Sequence, residues 1–114
     1  MQRPGTDDNN VQMSDILCDF CGKEWTLERP MVEGHRGACI CGECLTLAYT
    51  AVVIDGSATA PAGFMCELCR ENRPDAGWKS PATGIAACFR CIKQSAGVLQ
   101  KDAESGWKKP AAKK

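Results

Sequence analysis

The sequence is short of the residues on which most catalytic centres are built. Its 114 residues include one histidine and one tyrosine, and aromatic residues make up only 6%. It contains no G-x-x-x-x-G-K-[ST] phosphate loop, no H-E-x-x-H motif and no G-x-S-x-G nucleophile elbow. The single histidine, His35, lies in the segment Gly34-His35-Arg36-Gly37, which is typical of a solvated turn. We therefore expect no catalytic residues and predict that the chain is not an enzyme.

Excess charge and long apolar runs are missing as well. Fourteen basic and fourteen acidic residues give a formal net charge of zero, so nothing attracts a polyanion to the whole chain. No apolar stretch is long enough to span a bilayer, and no membrane partner is predicted. The N-terminal segment MQRPGTDDNN is polar and lacks the apolar core of a secretory signal. These absences favour a reducing, cytoplasmic location, where clustered cysteines bind metal; a disulfide scaffold is the less favoured alternative.

Cysteine, in contrast, is abundant: the nine cysteines include eight that form an internal repeat. The first C-x2-C pair recurs 48 positions later and the second recurs 47 positions later. Within each unit the two pairs are separated by 19 or 18 residues, which is the spacing of four-cysteine zinc sites. The pattern predicts two bound Zn²⁺. The ligand groups are Cys18, Cys21, Cys41 and Cys44 in the first unit, and Cys66, Cys69, Cys88 and Cys91 in the second. With four sulfurs on each ion, no coordination position is left for a catalytic water.

The ninth cysteine, Cys39, stands outside this pattern. It could replace Cys41 as a ligand, act as a redox-sensitive thiol or fill a small apolar position. Its counterpart in the repeat is Ala86, which cannot bind metal. We therefore interpret Cys39 as a small buried hydrophobe.

The predicted fold is a small zinc-stabilised α+β protein made of two tandem treble-clef-like four-cysteine fingers. Turn-forming residues in each gap indicate a β-hairpin, and a helix follows each second cysteine pair. The first helix is predicted over residues 45–54 and ends at Asp55-Gly56. Its apolar stripes are Leu45/Ala48/Val52 and Leu47/Ala51/Ile54. We expect the second stripe to pack on the other helix, at Phe89/Ile92/Ala96/Leu99, which would make the chain an intrachain pseudo-dimer.

The predicted domain boundaries follow composition. Residues 1–14 are expected to be disordered, and residues 104–114 are expected to form a flexible basic tail. Finger 1 occupies residues 15–56, a linker residues 57–63, and the divergent finger 2 residues 64–103.

A few apolar and aromatic residues are candidates for contact with a partner. We expect Phe20 and Phe89 to be core residues near the metals, and Trp25 and Trp78 to be exposed. Trp107, in the basic tail, is a candidate docking handle. The complete set of predicted partner-binding residues is Trp25, Trp78, Leu47, Ala51 and Ile54.

The first unit resembles the N-terminal zinc-binding domain of the ClpX unfoldase. The resemblance is carried by Cys18-Asp19-Phe20-Cys21-Gly22-Lys23, then Met31-Val32-Glu33-Gly34, then Ile40-Cys41-Gly42-Glu43-Cys44-Leu45. The second unit shares mainly the cysteine spacing. The resemblance implies a treble clef, four-cysteine zinc binding, dimerisation, and recognition of adaptor tails and substrates. The AAA+ ATPase of ClpX is absent from this sequence, so we do not expect the chain itself to be an unfoldase.

Two functions are compatible with these features. The favoured one is a non-enzymatic protein-interaction module that binds a protein or peptide partner, such as an adaptor tail, a substrate or a larger complex. The alternative is a zinc-finger nucleic-acid-binding protein that uses the basic C-terminal tail. Against the alternative, the first gap balances Lys23, Arg29 and Arg36 with three glutamates. We expect a monomer whose two units pair within one chain.

Overall fold

The computed structural model describes residues 2, 4–7, 9–34, 37–61, 63–74, 77–102 and 105–110. A 3₁₀ turn, Met13–Asp15, precedes the first hairpin, whose antiparallel strands are β1 (Met31–Glu33) and β2 (Cys39–Cys41). Helix α1 (Gly42–Tyr49) follows and continues into a π-helical turn, Thr50–Ile54. The second unit repeats this order with β3 (Trp78–Lys79), β4 (Ala86–Ala87) and α2 (Phe89–Lys101). The predicted fold class is confirmed.

Both helices begin at the second cysteine pair because a cysteine sulfur caps each of them. The Cys41 sulfur accepts the Cys44 amide at 3.5 Å, and the Cys88 sulfur accepts the Cys91 amide at 3.4 Å. Helix α1 therefore starts at Gly42, before the predicted start at residue 45. The helical segment ends as predicted at Asp55, and Gly56 has a φ of +66°. None of the helices among the described residues is long and apolar enough to cross a membrane.

One core is shared by the two units. Its fully buried side chains include Phe20, Ile40 and Leu45 from the first unit and Leu68 and Ile92 from the second. Helices α1 and α2 pack on each other, and the predicted stripe Leu45/Ala48/Val52 is buried.

Two residues that were predicted to be buried, Leu47 and Phe89, lie at the surface. Leu47 is 57% exposed, because the first stripe alone occupies the core side of α1. Phe89 is 38% exposed and carries the Lys93 ammonium 5.4 Å from its ring centre, because position 89 is on the solvent side of the first turn of α2.

The two units are joined by exchanged contacts between knuckle and hairpin. Ser80, directly after β3, donates its hydroxyl to the Phe20 carbonyl of the first knuckle. Gly34, directly after β1, lies against the second knuckle, where a Cβ would be 3.1 Å from the Leu68 carbonyl oxygen. Phe20 and Leu68 occupy equivalent positions in their C-x2-C pairs, so the contacts are related by an approximate twofold relation. This arrangement is that of a pseudo-dimer within one chain.

The segment predicted to be a linker is paired with the second hairpin. The amides of Thr59 and Ala60 both donate to the Gly77 carbonyl at 2.9 Å, and the Gly77 amide donates to the Ala60 carbonyl at 3.1 Å. Ala60 is buried. The segment thus acts as a third, strand-like edge of finger 2. A side chain at Gly77 would clash with the Ala87 carbonyl oxygen and the Phe64 ring.

Parts of both chain ends are hydrogen-bonded to the fingers. Gln2 forms a β-bridge with Ile16, and hydrogen bonds close the turn Met13–Asp15. Near the other end, the half-buried Trp107 donates to the Gly42 carbonyl of finger 1. Residues 1, 3 and 8 of the predicted disordered segment, residues 104 and 111–114 of the predicted tail, and His35 lie outside the described residues. The domain boundaries themselves stay predictions.

Candidate metal centres

The first cysteine group lies between its knuckle and the start of α1. The four sulfurs of Cys18, Cys21, Cys41 and Cys44 are all within 4.8 Å of one another. The Cys18–Cys44 and Cys21–Cys41 sulfur pairs are 3.9 Å and 3.7 Å apart. Four sulfurs at about 2.3 Å from a tetrahedral Zn²⁺ would be about 3.8 Å apart, so the arrangement fits zinc.

The second group, Cys66, Cys69, Cys88 and Cys91, repeats the first in detail, and its sulfurs are also within 4.8 Å of one another. The Cys18 and Cys66 sulfurs each accept a backbone amide at 3.3 Å, from Cys41 and Cys88 respectively. These amides stabilise negative charge on sulfur, as a zinc site requires.

Each knuckle is closed by the amide of the residue that follows its second cysteine. The Gly22 amide, directly after Cys21, donates to the Cys18 carbonyl at 2.7 Å. The Arg70 amide, directly after Cys69, donates to the Cys66 carbonyl at 2.8 Å. The two knuckles therefore have the same backbone geometry, although one is closed by glycine and the other by arginine.

Crowding four sulfurs together separates their pKa values. Hydrogen bonds from Cys41 and Cys44 lower the pKa of Cys18 to about 2. The pKa of Cys41 is raised to about 12, chiefly because its thiol donates to Cys18. In the second group the pKa of Cys66 is lowered by its hydrogen bonds from two neighbouring cysteines, and the pKa of Cys91 is raised by donation to Cys66. One thiolate is thus favoured in each group, and a divalent cation is what allows four thiolates to lie this close.

An ion pair lies beside each centre at equivalent positions, but the acidic and basic residues are exchanged between the two units. At the first centre, Lys23 forms an ion pair with Glu43 at 3.2 Å. At the equivalent positions of the second unit, Glu71 pairs with Arg90 at 3.3 Å. Interaction with the sulfur of a ligand, Cys69, is the main reason why the pKa of the Arg90 guanidinium is raised. The second centre therefore has a cation beside one of its ligands. The equivalent ligand of the first centre is the most exposed of the eight cysteines.

Cys39 is separate from both groups. It is buried on β2, and this burial raises the pKa of its thiol. Its amide donates to the Asp19 carboxylate at 2.6 Å, and its carbonyl accepts the Asp19 amide at 3.0 Å. In the second unit the Ala86 carbonyl accepts the Glu67 amide in the same way, at 2.8 Å. Residue 39 thus contacts its knuckle through its backbone, as Ala86 does, and its side chain is buried. This agrees with the interpretation of Cys39 as a small buried hydrophobe.

The predicted partner-binding residues lie in different environments. Trp25 is partly exposed, with 37% of its surface accessible, and lies in a cavity next to β1. Leu47 is exposed on α1, while Ala51 and Ile54 are half-buried in the π-helical turn. Trp78 is only 4% exposed, so the expectation of exposure is wrong. Its ring packs 5.8 Å from that of Phe20, between the two units, because β3 faces the first knuckle.

Some residues of the site region were missed from the sequence. Ser80 and Thr83 both donate hydroxyl groups to the Phe20 carbonyl, the latter at 3.1 Å, and so attach the second hairpin to the first knuckle. Arg90 was missed as a neighbour of Cys69. The signal for Arg90 is available in the repeat, since it follows its ligand cysteine by two residues, as Glu43 does in the first unit. The two hydroxyl residues have no such signal, because their role depends on how the units pack.

Comparison with known proteins agrees with the geometry. Residues 16–53, about a third of the chain, match the family model described as the ClpX C4-type zinc finger. Searches of curated proteins and of solved structures found no significant match. The matched segment contains the first ligand group, and the second group has the same hydrogen bonds around its sulfurs. The chain therefore contains a ClpX C4-type zinc finger in residues 16–53, followed by a second four-cysteine zinc unit of the same architecture.

Proposed function

We propose that the chain is a non-enzymatic protein-interaction module whose two zinc units together bind an extended segment of a partner protein. The four-sulfur centres support a structural role for the metal, because such sites have no open position for a reacting water. The ClpX-type finger supports a binding role. We further propose that the module acts as a monomer in the cytoplasm. As the family resemblance implies, we expect it to recognise an adaptor tail or a substrate.

A groove between the units carries this proposal. Val32 and Gly34 of the first hairpin and Leu68 of the second knuckle form one side, and Ser95 and Val98 of α2 form the other. The cavity is about 160 Å³, which is room for a side chain, and Val98 is 58% exposed. Both zinc units contribute to it, so the groove exists only while the pseudo-dimer is intact.

The chemistry of the groove selects the kind of ligand. Its floor is apolar, and its rim includes the Glu33 carboxylate and the Gln94 amide. An extended peptide with one aliphatic or aromatic side chain next to a basic residue would satisfy both parts. This is the segment that we expect the module to select.

Selection from a displayed peptide library against the zinc-loaded chain tests this proposal. Selected peptides should shift the backbone amide signals of Val32, Leu68 and Val98 in ¹⁵N-labelled protein. Val98→Glu should abolish binding, whereas Leu27→Glu, at an exposed residue outside the groove, should leave it unchanged. Leu47→Glu tests, in the same assay, whether the exposed face of α1 also contacts the peptide. Failure to select any peptide, or binding that Val98→Glu leaves intact, would contradict the groove.

The nucleic-acid alternative gives a different result in a parallel assay with fluorescent single-stranded and duplex oligonucleotides. It predicts binding that weakens steeply with salt and is lost when Lys108 and Lys109, both exposed, are replaced by alanine. The protein-interaction proposal predicts peptide binding that these replacements do not change.

A further inference from the structure

The indole of Trp107 is held in a cradle on finger 1, formed by Pro30, Gly42 and Thr46. Its Nε1–H donates to the Gly42 carbonyl and to the Thr46 hydroxyl oxygen, each at 3.0 Å. The Thr46 hydroxyl in turn donates to the Gly42 carbonyl at 2.9 Å. The polar edge of the ring is therefore fully satisfied, as recognition of tryptophan requires.

The cradle depends on the absence of a side chain at position 42. A Cβ there would lie 2.9 Å from the Trp107 Cδ1 atom, which is too close. In the second unit, Phe89 and Lys93 stand at the positions of Gly42 and Thr46, and the Lys93 ammonium lies over the Phe89 ring. The equivalent place on finger 2 is thus filled by its own side chains, and the cradle is a feature of finger 1.

The residues around Trp107 indicate which kind of peptide segment fits the cradle. The Ser105 hydroxyl accepts the Trp107 amide at 3.1 Å, and the Lys109 amide donates to the Gln100 side chain at 2.8 Å. The Glu28 and Glu43 carboxylates and the Arg29 guanidinium lie on the cradle side, and Arg29 pairs with Glu43 at 3.6 Å. Two lysines follow the tryptophan in the sequence. The segment from Ser105 to Lys109 therefore matches the cradle in shape and hydrogen bonding.

We propose that this cradle is a binding site for a tryptophan-lysine segment of a protein partner, and that Trp107 is a tethered ligand that competes for it. A tethered ligand has an effective concentration in the millimolar range, so a partner segment must bind well enough to displace it. The cradle is separate from the groove between the units. It can bind its ligand whether or not the groove binds a peptide.

The test uses the full chain with Trp107→Ala, which empties the cradle, and the synthetic peptide Ser-Gly-Trp-Lys-Lys-Pro. The peptide should shift the Gly42 and Thr46 amide signals of the ¹⁵N-labelled, zinc-loaded variant. Binding to the wild-type chain should be at least about tenfold weaker, because its own tail competes. A peptide with alanine in place of tryptophan is the control and should not bind.

Two further variants in the Trp107→Ala background locate the site. Gly42→Phe, which copies the second unit, should abolish peptide binding. Thr46→Val, which removes the hydroxyl, should weaken it about five- to tenfold and serves if Gly42→Phe fails to fold. The proposal is overturned if the peptide does not bind the Trp107→Ala chain, if wild type binds equally well, or if Thr46→Val has no effect. Val98→Glu should leave this binding intact, which separates it from the groove.

Discussion

Replacing Arg70 with glycine should stabilise the zinc-loaded protein. Arg70 follows Cys69 in the second knuckle with a φ of +61°, as Gly22 follows Cys21 in the first with a φ of +78°. A side chain in this left-handed region costs about 1–2 kcal/mol. Glycine removes this cost, but it also gives the unfolded chain greater conformational freedom, which reduces the gain in stability by about 0.5–1 kcal/mol. The exposed ion pair of Arg70 with Glu67, at 3.4 Å, contributes little. The expected net gain is about 0.5–1 kcal/mol.

The reciprocal change, Gly22→Ala, should destabilise the protein by about 1 kcal/mol. Apart from its chain neighbours, no atom of the described residues lies within 4 Å of the Cβ position, so the loss comes from the backbone conformation alone. Urea unfolding in excess zinc, followed by circular dichroism, gives both free energies of unfolding. Glu67→Gln removes the ion pair without changing the knuckle and is the control. The reasoning is refuted if Arg70→Gly is no more stable than Glu67→Gln.

Three further predictions concern packing and metal binding. Gly77→Ala should cost about 2–3 kcal/mol, because its Cβ would clash with the Ala87 carbonyl oxygen. Gly97→Ala should be neutral or stabilising, because among the described residues only the chain around Gly97 itself comes within 4 Å of the Cβ position. Urea unfolding of both variants checks this. Trp78→Ala should cost about 3–5 kcal/mol by the same assay, and more than Trp25→Ala, since only the former side chain is in the core; equal costs would contradict the assignment. Zinc affinity should rise about tenfold or more per pH unit between about pH 6 and 8, because thiols with raised pKa values, such as Cys41, lose protons on binding; a chelator competition that is independent of pH would show otherwise.

The metal groups and the fold class could be predicted from the sequence because they depend on local spacing. A C-x2-C pair and a gap of 18 or 19 residues are visible without knowledge of packing. The repeat also assigns equivalent positions, which is how Cys39 could be paired with Ala86. The predicted domain boundaries remain predictions, although the described parts of the linker and tail pack on the fingers.

The environment of single aromatic residues could not be predicted, because it is decided by how the chain packs on itself. Trp78 lies in a gap that reads as a turn-rich hairpin, yet the exchanged contacts place it against Phe20. Phe89 follows a ligand cysteine, yet it faces solvent at the start of α2. Trp107 lies in a lysine-rich segment that is typical of disorder, and the missing side chain at Gly42 allows it to dock.

A native mass spectrum of the purified chain, recorded before and after addition of a chelator, tests most directly whether the chain is a two-zinc pseudo-dimer. The expected result is a monomer with two Zn²⁺, which loses both ions on chelation and then shows the broad charge distribution of an unfolded chain. A monomer with one zinc or none, or a dimer that persists at low protein concentration, would contradict it.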